Sequence, residues 1–547
     1  MISPSKKDFL AIIKDGRIPP LYEEIPYSSP SLIYESLAST NSFLLESVKG
    51  HEKIARYSFI GFEPCLVFKV KNGIIEIETS DINHTDKSLI EDSKNYYPPS
   101  IPPLEGGKVP SSYVAKVKRG FEGAFLRQKN ISSSKPLNVL KNLVKTYRQK
   151  PFENLPPFQG GIAGILSYDF VQYFERLPNN SVDDLTLPDA HFLMIDKLIA
   201  MDHLYKMCWI IVCPGVKDSI KGKGIDDLID WAEKYDEAEN EIKKILKTVS
   251  NTLSLTLPPR GGGRGWGGDS EQKIEIIYEM KKNEYMDIVK KAKEYIAAGD
   301  IFQANLSQRV SAHIRDKSPW SLYRILSSIN PSPFAAFINF GDYQIVSSSP
   351  ERLLRVNDRT IETRPIAGTR PRGKDSNEDE LMRTELLLNE KERAEHIMLI
   401  DLERNDIGRI SDYGSVRVDE LMITEDYSHV IHIVSNVRGD IAEGKDCFDA
   451  IRAAFPGGTI TGVPKVRCME IIDELEPVRR GPYTGSIGYI SFSGNMDLNI
   501  VIRTFVIKGE MAYVQAGAGI VADSDPEREY YEALKKAEAL IKTLERV

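Results

Sequence analysis

Cysteine is scarce in this sequence, and long apolar runs are missing from it. Only five of the 547 residues are cysteines. They form no CxxC pair, and an odd number spread over so long a chain does not indicate a disulfide framework. The N-terminal segment holds a short apolar run flanked by charge, far short of a signal-peptide core, and no segment reaches membrane-spanning length. We therefore expect a cytoplasmic protein with no membrane partner.

A surplus of positive charge is also missing. The chain has 71 Lys and Arg against 79 Asp and Glu, a formal net charge of −8 and a pI near 5.7. Because nucleic-acid-binding domains are usually basic or carry a basic stripe, we expect no nucleic-acid partner. An anionic small molecule would need only a local cationic pocket.

The organisation of the chain is marked by one Gly- and Pro-rich stretch, residues 257–270. That composition predicts a loop or linker between a β-rich N-terminal region, residues 1–256, and a second region, residues 271–547. Residues 92–112 look like a further irregular insertion. Asn72-Gly73 predicts a hairpin turn. Strands and strong helices do not alternate regularly, which predicts an α+β fold with largely antiparallel sheets.

The final helix is predicted from its capping residues and its periodicity. Asp525 is a good N-cap, and Pro526 suits the first helical position. An apolar stripe at helical spacing is predicted to face the core. The stripe comprises Tyr531, Leu534, Ala537, Ile541 and Leu544.

Two pairs of glutamates have the same helical spacing. Glu529 and Glu532 lie on the final helix, and Glu392 and Glu395 lie in a second predicted helix. Residues three apart share a helix face. If the two pairs meet, they form an oxygen-only site suited to Mg²⁺. The alternative is that both pairs are solvated helix faces.

Three further segments have the composition of binding elements. Gly517 and Gly519 are predicted to leave a strand with exposed N–H groups that would face a carboxylate. "AAFPGGTITGVPK" resembles a phosphate loop but lacks the Walker spacing, so we reject nucleotide binding there. His429 and His432 stand in an apolar setting, where a backbone-bonded core histidine and a proton acceptor are both open interpretations.

Eight motifs follow one another in the second region. They read "GDIFQANLSQR", "SSSPERLLRV", "ETRPIAGTRPRG", "ERAEHIMLIDLERNDIGR", "DYSHVIHIVSNVRG", "FPGGTITGVPKVRCMEIIDELEP", "RRGPYTGSIGYISFSGNMDLNIVIRT" and "VQAGAGIVADSDPEREYYE". In this order they resemble the motifs of the chorismate-utilising enzymes, and eight motifs in order are far more specific than one. The N-terminal segments "SFLLESVKGHEKIARYSFIG" and "GGIAGILSYDFVQYFERLP" resemble the anthranilate synthase component I family within them.

The resemblance implies an enzyme that aminates chorismate, with residues 271–547 as its chorismate-binding catalytic region. It implies Mg²⁺ held mainly by Glu395 and Glu532, with Glu392 and Glu529 as direct or water-mediated ligands. Glu351 would be the general acid and His432 the base or a ring-orienting residue. The implied substrate-contacting residues are Gly368, Thr369 (also counted as catalytic), Tyr483, Arg503, Gly517, Gly519 and Lys536.

Ala367 bears on the choice of nucleophile. Family members that use water or a covalent relay carry a lysine there, whereas the resemblance to the ammonia users implies this small side chain. Ordinary strand packing is the alternative explanation. No cysteine stands on a Gly-flanked nucleophile turn, so we expect a separate glutamine amidotransferase subunit to supply ammonia.

The product and its regulation stay open at this point. "PFAAF" and "FQANLSQR" favour aminodeoxychorismate synthases as an alternative, and a catalytically inactive regulatory subunit is a third hypothesis. The resemblance also implies a site for tryptophan as feedback inhibitor. Its residues would be Glu46 and Ser47 from "LLES", and Asn330, Pro331, Ser332, Pro333 and Phe334 from "NPSPF".

Overall fold

The computed structural model describes residues 1–50, 54–79, 127–222, 229–255, 274–426 and 430–547. Its helices are α1 (Lys6–Ile13), α2 (Pro30–Leu37), α3 (Pro136–Lys145), α4 (Val216–Ile220), α5 (Trp231–Leu255), α6 (Lys282–Ala298), α7 (Pro319–Ile329), α8 (Ser376–Leu388), α9 (Glu390–Gly408), α10 (Cys447–Ala454), α11 (Lys465–Leu475) and α12 (Pro526–Glu545). Short 3-10 turns cover Tyr168–Tyr173 and Gly458–Ile460.

Two sheets contain the strands. In chain order the strands are β1 (Leu21–Ile25), β2 (Ser42–Glu46), β3 (Tyr57–Gly61), β4 (Leu66–Lys71), β5 (Ile74–Thr79), β6 (Arg127–Ser132), β7 (Gly161–Leu166), β8 (Ala190–Ile195), β9 (Lys197–Asp202), β10 (Met207–Val212), β11 (Ile276–Tyr278), β12 (Gln303–His313), β13 (Phe334–Asn339), β14 (Tyr343–Ser349), β15 (Arg352–Asn357), β16 (Thr360–Thr363), β17 (Ile366–Pro371), β18 (Arg417–Asp426), β19 (Val430–Asp440), β20 (Gly462–Val463), β21 (Ser486–Ser491), β22 (Met496–Asn499), β23 (Thr504–Lys508) and β24 (Met511–Ile520).

The pairings between these strands are antiparallel, as the α+β prediction requires. The first sheet has the order β1-β10-β9-β3-β2-β13-β14-β23-β24-β12-β11, with β20 beside β12. The second has the order β17-β19-β16-β15-β22-β21-β7-β8-β4-β5-β6, with β18 beside β19. Both sheets therefore take strands from before and after residues 257–270.

The inner faces of the two sheets pack against each other. One apolar cluster joins side chains of β2 and β3 in the first sheet to side chains of β7, β8 and β21 in the second. Within it, the ring of Phe59 meets the ring of Tyr489 edge-on at 5.2 Å. Aromatic pairs of this geometry add to the free energy of area burial. Other apolar faces of the sheets are covered by helices.

The predicted hairpin at Asn72-Gly73 is confirmed. Lys71 pairs with Ile74, which leaves a two-residue turn between β4 and β5. Asn72 has φ 49° and Gly73 has φ 75°. Positive φ at both turn residues is the requirement that Asn-Gly meets at low cost. The insertion 92–112, the stretch 257–270 and His429 lie outside the described residues, so those predictions stay predictions.

The final helix begins where its sequence predicts, with one correction to its buried face. The Asp525 side chain accepts a hydrogen bond from the N–H of Arg528, and α12 starts at Pro526. Tyr531, however, is 54% exposed. Its hydroxyl lies 3.1 Å from Lys282 Nζ, and the ammonium also lies 4.7 Å from the ring centroid. Tyr531 was wrongly assigned to the core because its polar end finds a cationic partner at the surface.

No helix in the described ranges is long and apolar enough to cross a bilayer.

Glycine at position 164 permits close contact between neighbouring strands. A Cβ added at Gly164 in β7 would lie 2.1 Å from the carbonyl oxygen of His191. We predict that Gly164→Ala lowers the free energy of unfolding by about 2–4 kcal/mol, because backbone cannot yield as a side chain does. Gly408→Ala is the matched control, since its added Cβ meets nothing within 4 Å at the end of α9.

Thermal and denaturant unfolding check this pair. The control should unfold like the parent or gain up to about 1 kcal/mol from reduced backbone entropy. Equal stability of the two variants would contradict the close-contact explanation.

Candidate active site

Glu351 lies in the junction between β14 and β15 and is 8% exposed. Its main-chain oxygen accepts the N–H of Ile500 at 3.0 Å, and its Oε1 accepts the hydroxyl of Thr459 at 2.8 Å. Burial raises the pKa of this carboxyl to about 7, against the opposing effects of Thr459, Arg503 and Lys536. A carboxylic acid with such a pKa is protonated often enough at neutral pH to act as a general acid.

His432 lies in β19, directly opposite Thr369 of β17. Its Nδ1 is 3.0 Å from Thr369 Oγ1 and 3.1 Å from the carbonyl oxygen of Gly368. Because a carbonyl oxygen only accepts, Nδ1 is assigned the hydrogen and Nε2 the lone pair. Burial, aided by the charge of Arg503, lowers the pKa of His432 to about 4 despite the Gly368 bond. The imidazole is therefore neutral at pH 7 and able to accept a proton.

A β-bulge shapes the segment that holds Ala367 and Gly368. The register of β17 against β19 shifts between Ala367 and Thr369. Gly368 has φ 63°, a conformation that costs glycine little. A Cβ on Gly368 would lie 2.5 Å from Glu392 Oε2. The bulge thus brings backbone against the first acidic pair, and Ala367 is buried beside it.

The two acidic pairs lie on facing helices, α9 and α12. The charges of Lys536 and Glu532 act on Glu395, and burial raises the pKa of Glu395. Burial likewise raises the pKa of Glu529, which also feels Glu532 and Lys536. Glu395 and Glu529 are thus partly buried beside Glu532 and Lys536, whereas Glu532 itself is 53% exposed, so the choice between a metal site and solvated helix faces stays a prediction.

Some carboxylate oxygens of these pairs are available to a hard cation, and others are already paired with basic side chains. Buried oxygens of Glu392 and Glu529, both Oε2, have no hydrogen-bond partner in the described structure. Orphaned carboxylate oxygens are the donors that Mg²⁺ prefers. Glu392 Oε1 already binds Arg370 at 2.7 Å, and Glu532 binds Lys536 at 3.0 Å. In the described ranges no three acidic, histidine or cysteine side chains already form a ligand group.

Of the predicted anion-binding residues, Arg503 and Lys536 are close enough to act on Glu351, whereas Tyr483 lies beside Arg480. Tyr483 is buried, and burial raises the pKa of its hydroxyl. Arg503 has φ 51°, and its charge reaches both Glu351 and His432. Lys536 Nζ donates to the carbonyl oxygen of Gly517 at 3.1 Å.

Gly517 and Gly519 lie among the last four residues of β24, ahead of the capped helix α12 as expected, but they are still paired with β12. They lie within β24, opposite Ser307 and Asn305, because β12 continues its pairing as far as Ile520. A Cβ on Gly519 would lie 2.6 Å from Gln303 Nε2. The two glycines therefore allow close side-chain approach across a paired strand, and the anion-binding role stays a prediction.

The two predicted effector motifs meet at a separate cavity. Ser47 Oγ donates to the carbonyl oxygen of Pro333 at 3.1 Å. Four of the predicted residues line the cavity, namely Glu46, Ser47, Pro333 and Phe334. Asn330, Pro331 and Ser332 do not line it. Ser332 holds the neighbouring segment through its carbonyl oxygen, which accepts the N–H of Val48 at 3.1 Å.

Several residues of these sites were missed from the sequence. Asp497 lines the cavity and forms a two-bond pair with Arg352, whose guanidinium lies 5.1 Å from the Phe334 ring. No sequence signal marks Asp497. Thr459 and Arg370 stood within quoted motifs, but only the fold shows that they contact Glu351 and Glu392.

All five cysteines are buried. Burial raises the pKa of the thiols of Cys208, Cys447 and Cys468 to about 12, and raises that of Cys65 and Cys213 as well. Since thiolate is the nucleophilic form, none of them is prepared to hydrolyse glutamine.

Known proteins similar to this chain come from one family. The family model described as "chorismate binding enzyme" matches residues 108–542. Anthranilate synthase component 1 of Acetivibrio thermocellus is 40% identical over 100% of this chain and 99% of its own length. Aminodeoxychorismate synthase component 1 of Bacillus subtilis is 39% identical over 96% and 97%. The solved structure of anthranilate synthase component I from Streptococcus pneumoniae matches with TM-score 0.68 and 30% identity, covering 95% of this chain and 99% of that one.

The chain belongs to the chorismate-binding enzymes. The resemblance to anthranilate synthase component I is confirmed at full length, with the aminodeoxychorismate synthase relative close behind it.

The raised pKa of Glu351 has a consequence for stability. An acid whose folded pKa, here about 7, exceeds its ordinary 4.5 loses folding free energy as pH rises between those values. We predict that Glu351→Gln and the parent have similar free energies of unfolding at pH 5. At pH 8 the variant should be more stable by on the order of 3 kcal/mol and should melt at a higher temperature.

Scanning calorimetry at both pH values checks this, with Glu545→Gln at an exposed position as control. The control should follow the parent at each pH. A Glu351→Gln variant that gains nothing at pH 8 would show that Glu351 is not held protonated.

Proposed function

We propose that this chain is an anthranilate synthase component I, which converts chorismate and ammonia into anthranilate and pyruvate in tryptophan biosynthesis. The observation that carries the proposal is a protonatable Glu351 and a neutral His432 that share Arg503 as a neighbouring charge. The strand paired with that of His432 carries the inert side chain of Ala367. Such a site can protonate a leaving group and remove a proton. It offers no lysine to activate water or to attack the ring.

The residues divide the chemistry between them. Glu351 gives its proton to the C4 oxygen, which leaves as water while ammonia adds at C2. The ammonium group formed at C2 loses a proton to solvent. His432 Nε2 then accepts the C2 proton, and the electron pair of that C–H bond completes the aromatic ring as the bond from C3 to the enolpyruvyl oxygen breaks. The group leaves as the enolate of pyruvate, which takes a proton at its methylene carbon to become pyruvate. Tyr483, Arg503 and Lys536 are proposed to hold the enolpyruvyl carboxylate, Arg503 by its planar fork.

Magnesium is proposed as the cofactor. Glu395 and Glu532 would hold it, assisted by Glu392 and Glu529, whose unpartnered buried oxygens support the assignment. Bound there, the ion would neutralise the ring carboxylate. Arg370 and Lys536, now paired with Glu392 and Glu532, would release those carboxylates to the ion.

Ammonia is proposed to come from glutamine through a separate amidotransferase subunit. The five buried cysteines support this division, because none has an accessible thiol of lowered pKa. The heteromer and a cytoplasmic location remain proposals.

Aminodeoxychorismate synthase component I is the second candidate function, and the full-length Bacillus subtilis relative favours it. Ala367 weighs against it, since an alanine cannot form the covalent relay that moves nitrogen toward C4. A catalytically inactive subunit is disfavoured by the perturbed pKa values of Glu351 and His432.

Feedback inhibition by tryptophan is proposed at the cavity where the two effector motifs meet. Its wall combines Glu46 and Asp497 with the aromatic rings of Phe334 and Tyr489. The carboxylates would face an ammonium group, and the rings an indole.

The product test uses the full chain alone with chorismate, ammonium and Mg²⁺. We expect anthranilate and pyruvate in equal amounts, followed by anthranilate fluorescence and by mass spectrometry, and no product from glutamine. Glu351→Gln should lose at least about 100-fold in kcat, as general acids typically contribute that much. Accumulation of aminodeoxychorismate without pyruvate would favour the second candidate.

The metal test compares two glutamates on the same helix. Glu532→Gln should abolish activity and weaken Mg²⁺ binding measured by calorimetry, and Glu395→Gln on α9 should do the same. Glu527→Gln on α12, whose exposed carboxylate pairs with Lys282 of α6, should behave as the parent. Full activity in the presence of EDTA would refute the cofactor assignment.

A further inference from the structure

The Gly-rich segment "AAFPGGTITGVPK" has no role in the mechanism so far, although its composition suggests one. It holds the 3-10 turn Gly458–Ile460 between α10 and α11. At its centre, the hydroxyl of Thr459 lies 2.8 Å from Glu351 Oε1. This segment therefore contacts the general acid of the proposed function, on which the following inference rests.

The position of Thr459 is fixed on both sides. Arg480 donates to the carbonyl oxygen of Ile460 at 3.0 Å and to Glu476 Oε1 at 2.7 Å, and it is 3% exposed. Thr461 Oγ1 donates to the carbonyl oxygen of Gly457 at 2.9 Å. A turn tied down at both ends keeps its central side chain in one place.

A carboxylic acid has two oxygens, and a general acid works only if its proton is on the oxygen that faces the substrate. A hydroxyl that donates into Oε1 reserves this oxygen as an acceptor, so the proton of Glu351 resides on Oε2. As that proton leaves, negative charge spreads onto Oε1. The Thr459 bond then becomes charge-assisted and stronger, which is the condition for stabilising a transition state.

We propose that Thr459 is a positioning residue that directs the proton of Glu351 to Oε2 and stabilises the carboxylate that forms when the proton is given up.

The other charged groups around Glu351 are known. Arg503 and Lys536 act on it from the segments after β22 and on α12. Glu403 of α9, a buried carboxyl that accepts the hydroxyl of Thr363 at 3.0 Å, also feels its charge. Substitutions at Thr459 leave these three in place, so a change in pH dependence reports on the hydroxyl.

The sign of that change follows from the bond. Activity requires protonated Glu351, so it declines as pH rises through the pKa of Glu351. The Thr459 bond favours the ionised form and lowers this pKa. Its removal should therefore move the alkaline limb of the kcat profile to higher pH.

The test measures ammonia-dependent anthranilate formation by the full chain with Mg²⁺, over a range of pH. Thr459→Val keeps the shape of the side chain and removes the hydroxyl. We expect kcat to fall by roughly tenfold and the alkaline limb to move up by about one pH unit, with KM for chorismate within about twofold. Thr459→Ser restores the hydroxyl and should recover most of both.

Thr543→Val on α12 is the matched control, because it removes a buried hydroxyl whose described bond goes to backbone, the carbonyl oxygen of Ala539, outside the Thr459 turn. It should lower the melting temperature and leave the limb unmoved. An unchanged kcat and limb in Thr459→Val would overturn the inference. So would a loss of kcat with an unmoved limb, as a purely structural role predicts.

Two further measurements keep the outcomes separate. If Thr459→Val does not fold, Thr459→Ala and Thr459→Ser are compared in its place, with the same expected difference. Glu351→Gln tests the proposed function itself. If Glu351→Gln is active, the assignment of Glu351 as the general acid is wrong. If Glu351→Gln is inactive and Thr459→Val behaves as the parent, only the role of Thr459 is wrong.

Discussion

The buried ion pair of Arg480 and Glu476 is the interaction on which the geometry of the site depends. Arg480 reaches the carbonyl oxygens of Ile460 and Asn305, and Glu476 accepts the N–H of Ser307 at 2.8 Å. One pair thus joins β12, the turn that carries Thr459 and the loop that carries Tyr483. A buried charge left without its partner costs about 3–5 kcal/mol, so these three elements are held in one arrangement.

Within that frame, one physical effect prepares both the acid and the base. Burial disfavours charge, so it raises the pKa of the Glu351 carboxyl and lowers that of the His432 imidazole. Near neutral pH a large fraction of Glu351 is therefore protonated and able to give a proton, and His432 is neutral and able to take one. The positive charge of Arg503 lowers the pKa of both groups. It therefore favours the ionised form of Glu351 and the neutral form of His432.

The elements set by local chemistry were predictable from the sequence. The Asn72-Gly73 turn and the Asp525 cap depend on residues adjacent in the chain, and the acidic pairs needed only helical spacing. The hydrogen bond between Thr459 and Glu351 joins residues 108 positions apart, and the place of Asp497 in the cavity depends on sheet register. The burial of Tyr531 was predicted wrongly because its ring fits an apolar stripe, whereas its hydroxyl fits an exposed position. The periodicity of the sequence does not predict which residues far apart in the chain contact each other.

The mixing of early and late strands in both sheets has a consequence for synthesis of the chain. β7 needs β21 as its neighbour, and β2 needs β13. While the polypeptide emerges from the ribosome, the edge of β2 that pairs with β13 and the edge of β7 that pairs with β21 stay without these partners until about 300 further residues have been made. Unpaired edges of this kind invite association with other chains. The nascent chain therefore exposes unpaired strand edges for most of its translation, and neither sheet is complete until β21 to β24 have left the exit tunnel.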